Sequence, residues 1–216
     1  MTVAAKICGL STLETARAAR DGGAAYLGFM HFERSPRHLS LADMAALMRA
    51  IRAEPGAPSL VSVLVDPDDG LLTAVRDEVK PDLIQLHGKE SPDRVRDIRA
   101  HFGMPVIKVL SISEAADLAR ADEYVPHADY LMFDAKPPKD ATRPGGWGLS
   151  FDWTLLRGFE GGKPWFLAGG LTADNVAEAV QISGAKLVDV SSGVESAPGV
   201  KDPARISAFL HAVKSL

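Results

Sequence analysis

Eight short apolar, β-branched runs recur along the chain, most followed by a glycine- or aspartate-bearing loop and a segment of helical period. The runs are Ala4–Cys8, Ala25–Met30, Leu60–Val65, Leu83–His87, Val106–Leu110, Tyr130–Asp134, Pro164–Ala168 and Lys186–Val190. Helical candidates between and after them are Thr12–Asp21, Leu41–Ala53, Pro92–Phe102, Glu114–Ala121, Ala173–Ile182 and Pro203–Lys214. Ser40, Ser91, Ser113 and Thr172 stand where N-caps belong, and Gly22 and Gly103 stand where helices stop. Strands that alternate with helices pair in parallel through right-handed crossovers. Spread over 216 residues, eight units average about 27 residues each, the size of a barrel unit with few insertions. An open doubly wound sheet would carry its glycine-rich loop after the first strand. Here the glycine-rich turns follow the last two runs. The expected architecture is therefore α/β, a single-domain (β/α)8 TIM barrel over residues 1–216.

Composition narrows the function classes. Hydrophobic residues make up 46% and charged residues 24%, the balance of a soluble globular chain, and the length suits one large core. A net charge of −4 argues against a broad nucleic-acid surface, though not against one local anion site. The only cysteine is Cys8, so no intramolecular disulfide forms and a cytoplasmic home is expected. Met1 to Gly9 shows no long apolar run and no cleavage-type signal, and no run approaches the roughly 20 residues of a membrane span. The six histidines are scattered without metal-ligand spacing, so neither metal nor cofactor is expected.

In such a barrel the active site lies at the C-terminal ends of the strands, so the polar residues that close each strand are the candidates. The first strand ends in Cys8, the fourth in His87 and the sixth in Asp134. A lone cysteine is commonly just a small buried hydrophobe. Alternation, however, puts Cys8 on the same face as Lys6, with Ile7 toward the helices, so the thiol points into the barrel mouth. Nearby positive charge would let it act as a base. Asp134 could merely cap its loop; buried under a lid, it would instead stay protonated and donate. The longest irregular stretch, Lys136–Gly148, holds Pro137, Pro138, Pro144, Gly145, Gly146 and Gly148 and reads as that lid.

Gly169-Gly170 after the seventh strand and Ser191-Ser192-Gly193 after the eighth form paired turns suited to a phosphate group. Arg37, stiffened by Pro36, is either a solvated loop arginine or a fork for a carboxylate. His87 is a candidate for substrate contact or for a structural hydrogen bond.

Taken in order, these segments resemble the phosphoribosylanthranilate isomerase family. The resemblance rests on Lys6-Ile7-Cys8-Gly9-Leu10, Leu27-Gly28-Phe29, Ser35-Pro36-Arg37, Ile84-Gln85-Leu86-His87-Gly88 and Phe133-Asp134-Ala135-Lys136. It continues through Gly145-Gly146, Phe151-Asp152-Trp153, Ala168-Gly169-Gly170-Leu171, the run from Val188 to Glu195, Pro198-Gly199 and Lys201-Asp202. It implies an Amadori rearrangement of N-(5-phosphoribosyl)anthranilate in tryptophan biosynthesis. Asp134 would be the acid that opens the ring and Cys8 the base at C2. Arg37 would hold the anthranilate carboxylate and the two late turns the phosphate. Partners would be limited to the small-molecule substrate, in a monomer or homodimer, with no nucleic acid or membrane.

Two departures stand out. Trp147-Gly148-Leu149-Ser150 replaces the family's usual small residue, glycine and Lys-Thr pair, which implies a lid packed more by apolar contact. The third strand, Val61-Ser62-Val63-Leu64-Val65, is repacked relative to the family's usual Gly-Val-Phe core. Because the eighth strand neighbours the first in a closed barrel, Lys6 and Asp189 should pair beneath Cys8 and bias its thiol toward ionisation. Two other readings remain open: the analogous isomerase of the histidine pathway, and a non-catalytic phosphate-binding barrel in which Cys8 senses oxidants.

Overall fold

The parity of side chains along each strand decides what the two faces of the sheet bury. In the computed structural model, which describes residues 2–138, 140–141 and 145–216, eight parallel strands close into a barrel in sequence order. They are β1 (Ala4–Cys8), β2 (Tyr26–His31), β3 (Ser59–Leu64), β4 (Leu83–Leu86), β5 (Val106–Ile112), β6 (Tyr130–Ala135), β7 (Trp165–Leu167) and β8 (Leu187–Val190). The ring closes where β1 pairs with β8, placing Lys6 opposite Asp189. Ile7, Leu27, Phe29, Leu60, Ile84, Leu131, Phe133 and Val188 belong to the larger core, between sheet and helices. Val61, Leu83, Ile107, Val109, Met132, Phe166 and Ala168 fill the inside of the barrel. Each fully buried Leu, Ile or Phe stabilises the fold by roughly 1.5–3 kcal/mol. Tyr26 and Phe166 meet edge to face at 5.2 Å near the N-terminal end of the barrel. Toward the C-terminal ends the inner face turns polar, with Lys6, Gln85, Asp134 and Asp189 all buried.

The helices are α1 (Leu13–Asp21), α2 (Leu41–Arg52), α3 (Asp69–Ala74), α4 (Pro92–Phe102), α5 (Ala115–Ala119), α6 (Ala121–Tyr124), α7 (Val176–Ser183) and α8 (Pro203–Lys214). Ser40 and Ser91 cap α2 and α4 by accepting from Asp43 N and Arg94 N, as their positions predict. Gly22 ends α1, and Gly103, at φ +66°, ends α4. Two expected caps are displaced. Glu114 caps α5 reciprocally with Asp117, and Ser113 instead bonds the Asp117 carboxylate. Asn175 is the cap of α7, its Oδ1 accepting from Thr172 N.

One helix escaped the periodicity. Asp68 starts α3, which runs on through a π-turn over Val75–Val79. Its buried Leu72, Val75 and Val79 keep helical spacing, but Gly70 near the start masks the signal. Between β6 and β7 the described residues form only one 3-10 turn, Trp153–Leu156. A short antiparallel hairpin, β9 (Glu195–Ala197) and β10 (Val200–Lys201), follows β8. In the expected lid Lys136–Gly148, residues 139 and 142–144, Pro144 included, lie outside the described residues. No described helix is long and apolar enough to cross a membrane.

Candidate active site

Alternation along β1 turns Lys6 and Cys8 inward. Glycine at position 28 of the neighbouring strand makes room for both. A side chain at Gly28 would fall 2.9 Å from Cys8 Sγ and 3.0 Å from Lys6 Nζ. Lys6 Nζ donates to Asp189 Oδ1 at 2.7 Å, the pairing predicted from barrel closure. Burial disfavours the Lys6 charge, but Asp189 and the thiol outweigh it and hold the ammonium above its ordinary range. At Cys8 the balance falls the other way. Burial pushes the thiol up, the Lys6 ammonium draws it back only in part, and Asp189 adds to the rise. The expected bias toward ionisation is thus present as a contribution and outweighed by desolvation.

Across the mouth, β6 delivers Asp134, which is buried and accepts from Ala135 N at 2.9 Å. His87, just past β4, places Nε2 3.3 Å from Asp134 Oδ2 without a hydrogen bond between them. His87 Nδ1 lies 3.3 Å from the Gln85 amide nitrogen. With that amide donating, Nδ1 accepts and Nε2 is left facing the aspartate.

Arg37 is buried rather than solvated. Its Nε and Nη2 donate to Glu195 Oε1 and Oε2 at 2.6 and 2.8 Å. Glu195 also accepts from Lys201 Nζ at 2.6 Å. Desolvation works against the Glu195 charge, yet the Arg37 and Lys201 donors prevail and hold its carboxyl below the usual range. Burial pushes Lys201 down, against the pull of Glu195. In the sequence, Glu195 and Lys201 stand only within the motifs that end the resemblance, and nothing local gives either a role. The available signal was a glutamate and a lysine flanking Pro198-Gly199, the turn of a hairpin beside the last strand.

The two late turns pack together. Gly169 and Gly170 have φ of +87° and +63°, conformations that favour glycine. Asn175 Nδ2 ties the turn by donating to Gly170 O at 3.0 Å. Gly193 packs against the Leu171 carbonyl and, unlike Ser191 and Ser192, does not line the pocket.

Gly145 to Leu149, at the end of the expected lid, cross this mouth close to its functional groups. A side chain at Gly145 would fall 2.9 Å from both Asp134 Oδ2 and His87 Nε2. Gly146 lies against Arg37 Nη1, Gly148 faces Ser192 Oγ, and the Leu149 carbonyl lies over Gly170. A cavity lies beneath these residues. Cys8, Arg37, His87, Asp134, Gly169, Gly170, Ser191 and Ser192 all line it, as do Met30, Phe32, Trp147 and Leu149. Among the described residues, no three His, Cys, Asp or Glu side chains converge as a metal-binding group. The arrangement offers a thiol and a carboxyl on opposite walls, the end of a guanidinium, and a glycine-serine cradle.

Over residues 5–212 the chain matches the family model described as N-(5'phosphoribosyl)anthranilate (PRA) isomerase. It is 54% identical over 212 residues to N-(5'-phosphoribosyl)anthranilate isomerase of Caulobacter sp. strain K31, covering 98% of this chain and 99% of that protein. The solved structure of phosphoribosyl anthranilate isomerase from Thermotoga maritima superposes with a TM-score of 0.87 at 31% identity, over 100% of both chains. A solved complex of phosphoribosyl anthranilate isomerase with reduced 1-(o-carboxyphenylamino)-1-deoxyribulose 5-phosphate gives 0.85 at 30% identity, again over 100% of both chains.

Proposed function

The chain belongs to the N-(5'-phosphoribosyl)anthranilate isomerase family, and we propose which of its side chains carry that chemistry. It is an isomerase of tryptophan biosynthesis, converting N-(5'-phosphoribosyl)anthranilate to 1-(2-carboxyphenylamino)-1-deoxyribulose 5-phosphate by an Amadori rearrangement. Asp134 is the general acid and Cys8 the general base. The observation that carries this assignment is their placement on opposite walls of one cavity, on β6 and β1.

Asp134 gives its proton to the ring oxygen of the sugar, the C1–O bond breaks, and the anthranilate nitrogen becomes a protonated Schiff base. That positive charge acidifies the C2 hydrogen. It also favours the thiolate of Cys8, supplementing Lys6 at the step where a base is needed. Cys8 takes the C2 proton, and the enolamine tautomerises to the ketone. Arg37 holds the anthranilate carboxylate, His87 contacts the substrate beside Asp134, and the turns at Gly169-Gly170 and Ser191-Ser192 hold the phosphate. Gly193 serves that cradle by letting the two turns pack.

Residues 1–216 act as one catalytic domain, as a monomer or homodimer. We place it in the cytoplasm, where a reducing environment keeps the Cys8 thiol available.

The test is turnover of phosphoribosylanthranilate generated in situ, followed by loss of its fluorescence. Cys8→Ser and Asp134→Asn should each lower kcat by roughly 10²–10⁴-fold. Either variant turning over at the wild-type rate removes that residue from the assignment.

A further inference from the structure

Arg37 faces the cavity in an orientation set from behind. Glu195 grips the guanidinium side-on, through Nε and Nη2, and both side chains are only 4% exposed. Among the described residues, every hydrogen bond of that guanidinium runs to Glu195. A guanidinium held by this edge still presents its end, Nη1 with the outer N–H of Nη2, as a second fork. That end is the part nearest the lid at Gly146.

The same carboxylate reaches the other end of the site. Lys201 Nζ, 2.6 Å from Glu195 Oε1, donates to Ser191 O at 2.9 Å and to Ser191 Oγ at 3.2 Å. Ser191 Oγ donates in turn to the Cys8 carbonyl at 3.1 Å. At the hairpin turn, Gly199 N donates to Glu195 Oε2 at 3.3 Å, and Gly199 packs on the Pro36 carbonyl. One buried carboxylate therefore joins the loop after β2 to the turn after β8.

We propose that Glu195 is a positioning residue that sets the span between the Arg37 end and the Ser191 end of the site, so that ligands bearing both a carboxylate and a phosphate are selected by length. This rests on the assignment of Arg37 to the carboxylate and of the β8 turn to the phosphate. A ligand anchored at both ends gains from the high effective concentration of its second anchor only while the span fits. A carboxylate that fixes both anchors maintains that fit. Without it, Arg37 and Lys201 would be two buried cations with no shared anion, and each would re-aim independently.

The experiment compares equilibrium binding of two ligands by titration calorimetry. One is the reduced aminoketose phosphate with its ortho-carboxylate, the other the same molecule with a plain phenyl ring. Wild type should prefer the carboxylate ligand by roughly tenfold or more, the scale of a hydrogen-bonded charge contact. Glu195→Gln should bring that ratio to within about twofold of one and weaken the phenyl ligand severalfold through the loosened Ser191 turn. Lys201→Gln should weaken the phenyl ligand while retaining the preference. Glu195→Asp, which keeps the charge one methylene short, should give an intermediate ratio and serves if the glutamine variant does not fold. A Glu195→Gln protein that weakens both ligands by the same factor, leaving the ratio at the wild-type value, would overturn the proposal. Arg37→Ala tests the premise separately: a ratio near one upholds it, and a wild-type ratio removes Arg37 from carboxylate binding whatever Glu195 does.

Discussion

Lys6 Nζ lies 2.7 Å from Asp189 Oδ1, one inward position beneath Cys8, and both side chains of the pair are buried. Lys6 is the largest influence drawing the Cys8 thiol back from the rise that burial imposes, and it exceeds the opposing push of Asp189. Removing it should move the thiol further up. Since the base form is the thiolate, kcat/KM climbs as pH rises through the Cys8 pKa, and Lys6→Met should shift that climb to higher pH. The single variant also strands Asp189 and should cost about 3–5 kcal/mol in stability. Lys6→Met with Asp189→Asn should recover most of that stability and keep the shifted profile. An unshifted pH–rate profile in the double variant would show that Lys6 does not tune the thiol.

Glu195 gives the fold an acid-sensitive clasp. Its carboxyl titrates below the ordinary 4.5 in the folded chain, so unfolding takes up a proton. Its stabilisation is fully present above that ordinary value and is lost as pH falls through the lowered one. Urea unfolding followed from about pH 6 to about pH 3 should show a weaker pH dependence in Glu195→Gln than in wild type. Parallel curves for the two proteins would mean that Arg37 and Lys201 do not favour the charged carboxylate.

The strands were legible as short apolar, β-branched runs recurring between segments of helical period, and side-chain parity along β1 pointed Cys8 inward and Ile7 outward. Lys6 and Asp189 were legible for that reason too, since closure forces β8 beside β1. Arg37 was readable as a fork but not as half of a buried pair. Glu195 lies 158 residues away in sequence, and no local pattern carries a contact of that separation. Asn175 in place of Thr172 is a subtler miss: both are cap types, and the choice depended on the turn at Gly169-Gly170 consuming three more residues before α7 could start.

Lys108 repeats the buried-lysine theme on the other face of the sheet. Its Nζ donates to Glu90 Oε2 at 2.6 Å and to Gly88 O at 2.9 Å, and Glu90 also accepts from Asp66 N and Gly88 N. Its strand neighbours Val106 and Leu110 belong to the core between sheet and helices. Lys108→Met should therefore cost about 3–5 kcal/mol by thermal or urea unfolding, with kcat little changed. A large fall in kcat with stability intact would contradict a purely structural role.

Closure of the lid is open to a direct test at Gly145. A methyl there would fall within 2.9 Å of Asp134 Oδ2 and of His87. Gly145→Ala should lower kcat/KM roughly tenfold or more by holding the lid off the acid, since a misplacement of about 1 Å can cost 10²-fold. The unfolding midpoint should barely move. Wild-type kinetics in this variant would mean that the lid stands clear of Asp134 during turnover.

The path of the lid also partitions how far this loop can evolve. Gly145 and Gly146 lie directly against the acid and the guanidinium, and Gly148 is held at φ +71° above Ser192. Trp147 and Leu149, by contrast, are 37% and 45% exposed while still bordering the cavity. Variation at those two places can recolour the rim of the cavity without touching the proton carriers. A combinatorial library confined to Trp147 and Leu149 would thus explore altered substrate preference on a catalytically intact background. One spread over Gly145, Gly146 and Gly148 would mostly return inactive chains.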